Sequence, residues 1–124
     1  MWKFIQSSGN VYKDDALIEV CYSGFKEGRN NPDLEDVPFV GPIPCGWYTV
    51  QIIRGNDGQP CDNGSKKAPV ARLLPDLDTE VFGRADFEWH GDNITHTASH
   101  GCIISSHPTR EQLQDGDRLQ VTRT

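Results

Sequence analysis

The sequence predicts a mainly β fold with one short helix near the C-terminus, at about residues 108–114. Twelve glycines and eight prolines among 124 residues imply many turns and few long helices. Short stretches of alternating apolar and polar residues are separated by Gly, Pro, Asn and Asp, the pattern of strands joined by turns. The length suits one hydrophobic core, so residues 1–124 are predicted to form a single domain.

Three strands are predicted at the N-terminus. Residues 2–6 alternate between apolar and polar side chains, and a turn at residues 7–10 follows. Val11 and Tyr12 begin a second strand. The aliphatic and aromatic run Ala16–Tyr22 is predicted as a third strand. Short turns between them indicate an N-terminal meander.

Two long polar connections interrupt the strands. Residues 23–40 contain many breakers of regular structure, and such a loop is longer than a domain usually holds without a purpose. Two interpretations remain open for it: a rim or lid over a site, or an ordered surface loop with no role. Residues 54–67 are polar and glycine-rich, and we expect them to be exposed and variable in conformation.

The central strands carry the clearest alternation. In Trp47–Ile53, the side chains of Tyr48, Val50 and Ile52 form the more apolar face, which should meet the core. A further strand covers Val70–Leu74.

The next strand, Asp86–His90, brings a histidine into the sheet. Phe87 and Trp89 share one face, while Glu88 and His90 share the other. We therefore expect His90 to be accessible on the polar face.

The C-terminal part is predicted as strand, helix, strand. Ile103 and Ile104 form a short apolar strand. The helix Pro108–Gln114 has proline in its first turn and is terminated by Gly116. In the closing strand, Arg118–Thr122, Leu119 and Val121 should point inward.

The segment His90–Ile103, HGDNITHTASHGCI, carries the candidate chemistry. A cysteine thiol with its ordinary pKa of about 8.5 is a weak nucleophile at neutral pH, and a nearby imidazole can take its proton. Gly91 and Gly101 remove bulk beside both groups, so the backbone can turn tightly. The backbone N–H groups of Gly101 and Cys102 are natural donors to an oxyanion. Our hypothesis is that Cys102 is a nucleophile and His90 is its base.

These residues allow two other interpretations. A lone cysteine is more often a small buried residue than a nucleophile. Zinc binding is the second, and its potential ligands are His90, His96, His100 and Cys102. The spacing resembles no zinc finger or ribbon, and no HExxH helix is present. We therefore predict no metal and no cofactor.

Charge and composition exclude several function classes. A net charge of −6 argues against a nucleic-acid partner. No apolar run approaches the about 20 residues of a membrane span. The N-terminus has no apolar segment typical of a signal peptide, so synthesis in the cytoplasm without such a signal is expected.

The cysteine count leaves the redox state open. If Cys102 is free, at most one disulfide can form among Cys21, Cys45 and Cys61, and a Cys45–Cys61 bond is one option. Four reduced thiols are favoured because no export signal is visible.

The motifs resemble a known family. His90-Gly91 followed by SHGC at residues 99–102 is similar to the active-site signature of L,D-transpeptidases. Other blocks resemble the L,D-transpeptidase effectors of type VI secretion systems, and the resemblance runs from Trp2 to Val121. These blocks are Tyr22-Ser23-Gly24, Asn30-Asn31-Pro32, Gly41-Pro42-Ile43-Pro44 with Gly46 and Tyr48, Phe82-Gly83-Arg84, and Pro108 with Arg110-Glu111.

This resemblance implies a fold, a reaction and a setting. The fold would be an L,D-transpeptidase-like β-sandwich or barrel. Cys102 would attack the peptidoglycan tetrapeptide stem at the diaminopimelate–D-Ala bond and form a thioester. Water would release a tripeptide, a free D-amino acid would give exchange, and a second stem would give a cross-link. The effectors are associated with the first two outcomes, in the periplasm of a neighbouring cell, which implies a secretion-system component and a cognate immunity protein as partners.

The resemblance also implies roles around the catalytic pair. His90 would activate Cys102 and then protonate the leaving amine. Gly91 and Gly101 would allow the tight turns, with Gly101 and Cys102 holding the oxyanion. Ser99 would form a hydrogen bond near the histidine or the substrate, or else stabilise a turn.

Three residues are candidates for substrate binding. Arg84 would meet a substrate carboxylate, with an ordinary surface ion pair as the alternative. His100 would orient the loop or face solvent, and Asp92 would cap a turn. Ile103-Ile104-Ser105 stand where many L,D-transpeptidases carry an arginine, so a carboxylate must be recognised elsewhere. A second function class remains open, a non-catalytic module of the same fold that binds stem peptides.

Overall fold

The computed structural model describes residues 1–124 as nine strands and one short helix. The strands are β1 (Trp2–Ile5), β2 (Asn10–Lys13), β3 (Ala16–Val20), β4 (Tyr22–Ser23), β5 (Gly46–Ile52), β6 (Ala71–Pro75), β7 (Glu88–His90), β8 (Ile103–Ile104) and β9 (Arg118–Thr122). The α-helix α1 is His107–Arg110, and two 3-10 helices cover Lys26–Gly28 and Pro32–Leu34. The prediction of a mainly β fold with a short C-terminal helix is confirmed. None of the helices has the length and apolar character needed to cross a membrane.

All nine strands belong to one sheet that nearly closes on itself. Their order is β3-β2-β1-β9-β5-β6-β7-β8-β4. The pairs β1–β9 and β7–β8 are parallel, and the other neighbours are antiparallel. The two edge strands, β3 and β4, are separated in the chain by Cys21 alone. The ends of the sheet must therefore meet in space, and the sheet curls into a barrel-like shape.

The junction at Cys21 corrects one predicted element. The run Ala16–Tyr22 was predicted as one strand, but the structure divides it between opposite edges of the sheet. The backbone N–H of Cys21 donates to the carbonyl of Gly9 at 2.7 Å, outside the two strands. A continuous apolar run carries no local signal for this change of edge, which long-range pairing imposes.

The core lies on the concave side of the curled sheet. Tyr48, Val50 and Ile52 are buried, as the alternation of β5 predicted. Leu119 and Val121 of β9 are buried too, so their predicted inward orientation is confirmed. The rings of Trp2 and Trp89 meet edge to face with centroids 5.4 Å apart, linking β1 to β7.

The helix is shorter than the predicted Pro108–Gln114. It starts one residue earlier and ends at Arg110. Beyond it, the N–H groups of Gln112 and Leu113 donate to carbonyls three residues back, so the chain tightens into turns.

Both long connections are attached to the strands that carry the motif. In the first, Gly24 donates its N–H to the hydroxyl of Ser99 at 2.9 Å. The carbonyl of Phe39 is 3.0 Å from Nδ1 of His100. These contacts favour the rim interpretation of residues 23–40. In the second connection most residues are exposed, as expected, but Asn63 and Lys66 bind the carboxylate of Glu88 on β7.

Candidate active site

Of the two predicted catalytic residues, His90 ends β7 and Cys102 directly precedes the neighbouring strand β8. β7 and β8 run parallel, with Trp89 opposite Ile103 and His90 opposite Ile104. Side chains alternate between faces along a strand, and residues opposite each other share a face. Cys102 directly precedes β8, so this alternation puts it on the same face as His90, opposite the buried Trp89 and Ile103.

His90 is held as a neutral base with a free acceptor atom. Its Nδ1 lies 2.8 Å from the carbonyl oxygen of Gly91. A carbonyl only accepts hydrogen bonds, so Nδ1 carries the hydrogen and Nε2 carries the lone pair. Nε2 is buried and has no hydrogen-bond partner. Burial lowers the pKa of His90 below its usual range and outweighs the Gly91 carbonyl, which acts to raise it.

The expected accessibility of His90 is wrong. The residue is 3% exposed, although it lies on the face that carries polar side chains. That face is covered by the second long connection, since Asn63 and Lys66 bind Glu88 there at 3.0 and 2.5 Å. A covered polar face cannot be recognised from alternation alone.

Cys102 is half-buried and carries a neutral thiol at rest. Burial raises the pKa of the Cys102 thiol, and a backbone hydrogen bond from Glu88 and the charge of Lys66 only partly oppose this. At rest the thiol and the imidazole are therefore both neutral, and they do not form a thiolate–imidazolium pair. All four cysteines are free in the structure.

Ser99 builds the turn that presents Cys102. The residue is fully buried. Its hydroxyl accepts from the N–H groups of Gly24 at 2.9 Å and Gly101 at 3.1 Å, and donates to the carbonyl of Cys102 at 2.6 Å. These bonds favour the turn-stabilising interpretation of Ser99.

Because of these bonds, only one of the two N–H groups predicted to hold an oxyanion is free. The N–H of Gly101 is already bound by Ser99, while that of Cys102 makes no hydrogen bond. In this resting structure Cys102 therefore supplies the available donor.

Arg84 is committed to the protein backbone. It is 8% exposed and donates to the carbonyl oxygens of Glu35, Pro42, Gly41 and His100. Arg84 therefore forms no surface ion pair and has no terminal N–H group free for a substrate carboxylate, because all four are used within the chain. The guanidinium ties the first long connection to the SHGC turn. Its position is close enough to Gly101 that a Cβ on that glycine would lie 2.4 Å from Nη2 of Arg84.

Asp92 and His100 also hold loops in place. The carboxylate of Asp92 accepts from the Tyr22 hydroxyl at 2.6 Å and from the N–H of Asn93 at 2.8 Å. Burial acts to raise the pKa of Asp92, but the hydrogen bonds from Tyr22 and His96 outweigh it and the pKa is lowered. The exposed His100 packs against the ring of Phe25 with centroids 4.7 Å apart. Asp92 thus supports the loop, as expected, and His100 both faces solvent and contacts the rim.

Two cavities adjoin this pair of strands. The larger, about 970 Å³, is lined by His90 and by three residues that sequence reasoning did not assign to the site, Tyr22, Lys66 and Arg110. The smaller, about 360 Å³, is lined by Cys102. His90 and Cys102 therefore open onto different cavities.

The sequence gives little indication that the three additional residues belong to the site. Tyr22 and Arg110 stand only within blocks that resemble the effector family, and Lys66 lies in a polar loop without periodicity. Only their position in space connects them with His90.

The zinc interpretation finds no support in the geometry. No group of three or more His, Cys, Asp or Glu side chains is arranged to hold a metal ion. The pair His96 and Asp92, 2.8 Å apart, makes a local contact within the loop instead.

Sequence comparison identifies the family. Residues 19–124 match the model of the Tlde1 domain. The matched range contains the residues from β7 to α1 that line the two cavities. No curated protein shows a significant match to the chain. The match covers most of the sequence, so the chain belongs to the Tlde1 domain family, the L,D-transpeptidase effectors of type VI secretion.

Proposed function

We propose that this protein is a cysteine enzyme that cleaves the diaminopimelate–D-Ala bond of peptidoglycan tetrapeptide stems. The observation that carries the proposal is the His90 imidazole. Its Nδ1 donates to Gly91, which leaves Nε2 as a buried acceptor without a partner on the sheet face shared with Cys102. Family membership supports the substrate class.

The neutral resting pair determines how acylation would proceed. Sγ of Cys102 attacks the carbonyl carbon of the third stem residue while its proton passes to Nε2 of His90. The carbonyl oxygen becomes an oxyanion, which accepts a hydrogen bond from the free N–H of Cys102. The imidazolium then protonates the D-alanine nitrogen, the C–N bond breaks, and a thioester remains on Cys102.

Two nucleophiles would resolve the thioester. Water gives a tripeptide, and the amine of a free D-amino acid gives an exchanged tetrapeptide. In both cases Nε2 of His90 accepts the proton of the incoming nucleophile. We further propose that the protein acts in the periplasm of a target cell after type VI delivery, and that a cognate immunity protein protects the producing cell.

Mass spectrometry of purified tetrapeptide muropeptides tests the reaction. Wild type, Cys102→Ala and the matched control Cys61→Ala are incubated with and without a free D-amino acid. We expect tripeptide or exchanged product from wild type and Cys61→Ala, and none from Cys102→Ala. Product from folded Cys102→Ala, or no product from folded wild type, would contradict the proposal.

A second candidate function rests on the thiol. Burial raises the pKa of Cys102, so the resting thiol is a weak nucleophile. A weak nucleophile is compatible with a non-catalytic module that binds stem peptides. This function predicts that Cys102→Ala and wild type bind peptidoglycan equally and that neither forms product. The same incubations, with a binding assay added, separate the two functions.

A further inference from the structure

Arg110 is a buried cation without a counterion. It is 4% exposed. Its Nε donates to the carbonyl of Pro69 at 2.9 Å, and Nη1 donates to the carbonyl of Ser105 at 2.6 Å. It takes part in none of the ion pairs of the protein. Two carbonyl oxygens orient the guanidinium but do not neutralise it, so Nη2 remains available to an anion.

The acidic side chain that acts on Arg110, that of Glu19, is engaged elsewhere. The carboxylate of Glu19 acts on the pKa of Arg110 only at a distance. It accepts hydrogen bonds from the N–H and hydroxyl of Ser106 and from the hydroxyl of Thr109. An anion that pairs with Arg110 must therefore come from outside the chain.

The guanidinium lies beside the catalytic base. A Cβ on Gly91, the residue after His90, would lie 2.9 Å from Nη1 and 3.2 Å from Nη2 of Arg110. Glycine at this position lets the guanidinium pack directly against the backbone next to the imidazole. His90, Arg110 and Lys66 all line the larger cavity.

Lys66 adds a second positive charge to the same wall. Its ammonium pairs with Glu88 at 2.5 Å, and its side chain is 36% exposed. The other carboxylate near the cavity wall, that of Asp92, is bound by Tyr22 and Asn93. The cavity is lined by the cations Arg29, Lys66, Lys67 and Arg110 and by two carboxylates, Glu19 and Asp92, so positive charges are in excess there in a protein whose net charge is −6.

A carboxylate is the anion that this geometry suits. An arginine fork binds a carboxylate through two parallel hydrogen bonds, and burial strengthens them. In the proposed reaction His90 protonates the nitrogen of the leaving amino acid. The carboxylate of an α-amino acid is only one carbon atom away from that nitrogen, so a cation close to His90 can reach it. The charges of Lys66 and Arg110 are both close enough to the imidazole to act on its pKa, and both lower it.

We propose that Arg110, assisted by Lys66, binds the free C-terminal carboxylate of the stem peptide, and the carboxylate of a free D-amino acid during exchange. This inference rests on the proposed function and names the feature of the substrate that the site recognises. It follows that the enzyme removes a terminal residue with a free carboxylate and leaves bonds inside longer or blocked peptides intact.

The first test compares a tetrapeptide muropeptide with its C-terminal carboxamide on the wild-type protein. We expect kcat/KM to be lower for the carboxamide by about 10- to 100-fold, the range of a lost charge-assisted hydrogen bond. Equal kcat/KM for the two compounds would overturn the inference and leave the proposed function intact. This comparison requires no substitution and cannot be confused with misfolding.

Substitutions test which residues cause the preference for a free carboxylate. Arg110→Met and Lys66→Met should each reduce the ratio between acid and carboxamide, and Arg110→Lys should restore part of it. Arg110 also holds two backbone carbonyls, and Lys66 is the counterion of the buried Glu88, so the folding of both variants is checked by circular dichroism before the ratio is measured. The matched control is Lys3→Met, which removes a charge from β1 and should keep the wild-type ratio. A wild-type ratio in folded Lys66→Met and Arg110→Met would overturn the inference.

Binding separates a failure of the inference from a failure of the proposed function. The Cys102→Ala variant is titrated with the tetrapeptide and with its carboxamide, with no turnover required. Tighter binding of the acid supports the inference even if wild type forms no product. Equal binding, or no binding of either compound, overturns it.

Discussion

At the scale of single residues, the site is defined by which atoms lack partners. The Nε2 atom of His90 and the N–H of Cys102 make no hydrogen bond, while the hydroxyl of Ser99 makes three and the four terminal N–H groups of Arg84 are all bound. Unpaired buried groups are costly in a folded protein, so they mark positions where a substrate can supply the missing partner. By this criterion Ser99 and Arg84 shape the site, and His90 and Cys102 are the candidates for reaction.

The charge state of Cys102 gives a first prediction. Burial raises the pKa of its thiol and lowers the pKa of His90, so both shifts favour the neutral pair. In the difference in ultraviolet absorbance between wild type and Cys102→Ser, we expect the thiolate to appear only above pH about 8.5, the ordinary thiol pKa. Thiolate absorbance already present at pH 6 would show a thiolate–imidazolium pair and contradict the mechanism.

The same shifts predict how catalysis depends on acid. His90 must be unprotonated to accept the thiol proton, and its lowered pKa keeps it unprotonated as the pH falls. We therefore expect kcat/KM to decline only below pH about 6.5, the ordinary pKa of imidazole. A decline centred above that value would mean that the imidazole is stabilised as a cation.

Gly101 gives a prediction about the turn. Its φ is +131°, and a Cβ there would lie 2.4 Å from Nη2 of Arg84. In Gly101→Ala the turn or Arg84 must move, and we expect kcat/KM to fall by on the order of 100-fold because Cys102 is displaced. The control is Gly116→Ala, with φ +86° and no atom within 4 Å of the added Cβ, which should lose stability but keep its activity. Wild-type kcat/KM in Gly101→Ala would contradict the close packing.

At the scale of elements, the paired strands put the two candidate catalytic residues on one face of the sheet, and the connections build the walls of the cavities. β7 and β8 supply His90 and the approach to Cys102. Residues 23–40 border the SHGC turn through Gly24 and Phe39, and residues 54–67 reach the site through Lys66. The site thus depends on segments that are far apart in the chain.

Arg84 gives the prediction at this scale. Arg84→Met leaves four carbonyl oxygens without their donor, so we expect the free energy of unfolding to fall by about 3–5 kcal/mol. Urea denaturation measures the loss, and limited proteolysis should cut first within residues 35–42. Arg54→Met is the control, since this arginine is in an exposed ion pair and its loss should be much smaller. Equal losses in the two variants would show that Arg84 does not anchor the connection.

At the scale of the whole molecule, closure of the sheet depends on the passage from β3 to β4. The chain changes edges at Cys21, whose N–H binds the carbonyl of Gly9. The passage is tight, because a Cβ on Gly9 would lie 2.0 Å from the carbonyl oxygen of Cys21. The closed sheet in turn carries β7 and β8 next to the N-terminal strands, with Trp89 against Trp2.

Two glycines with the same φ test this closure. Gly9 and Gly58 both have φ +79°, but a Cβ on Gly58 meets no atom within 4 Å. Gly58→Ala should cost about 1 kcal/mol from backbone strain alone. Gly9→Ala adds a steric clash with Cys21, and we expect a loss of more than about 3 kcal/mol in urea denaturation. Similar losses in both variants would mean that the junction can open without cost.

The sequence by itself determined the fold class and indicated the candidate reacting residues. Alternation identified the buried faces of β5 and β9, and the SHGC and HG motifs singled out Cys102 and His90, because both signals are local. The tertiary structure decided what surrounds them. The division of residues 16–22 at Cys21 and the burial of His90 arise from contacts between distant segments, which no local pattern records. For the same reason the roles of the arginines were not predictable. The terminal N–H groups of Arg84 are all bound to carbonyl oxygens, whereas Arg110 lacks a counterion. This difference depends on which carbonyls and carboxylates the folded chain brings around each guanidinium.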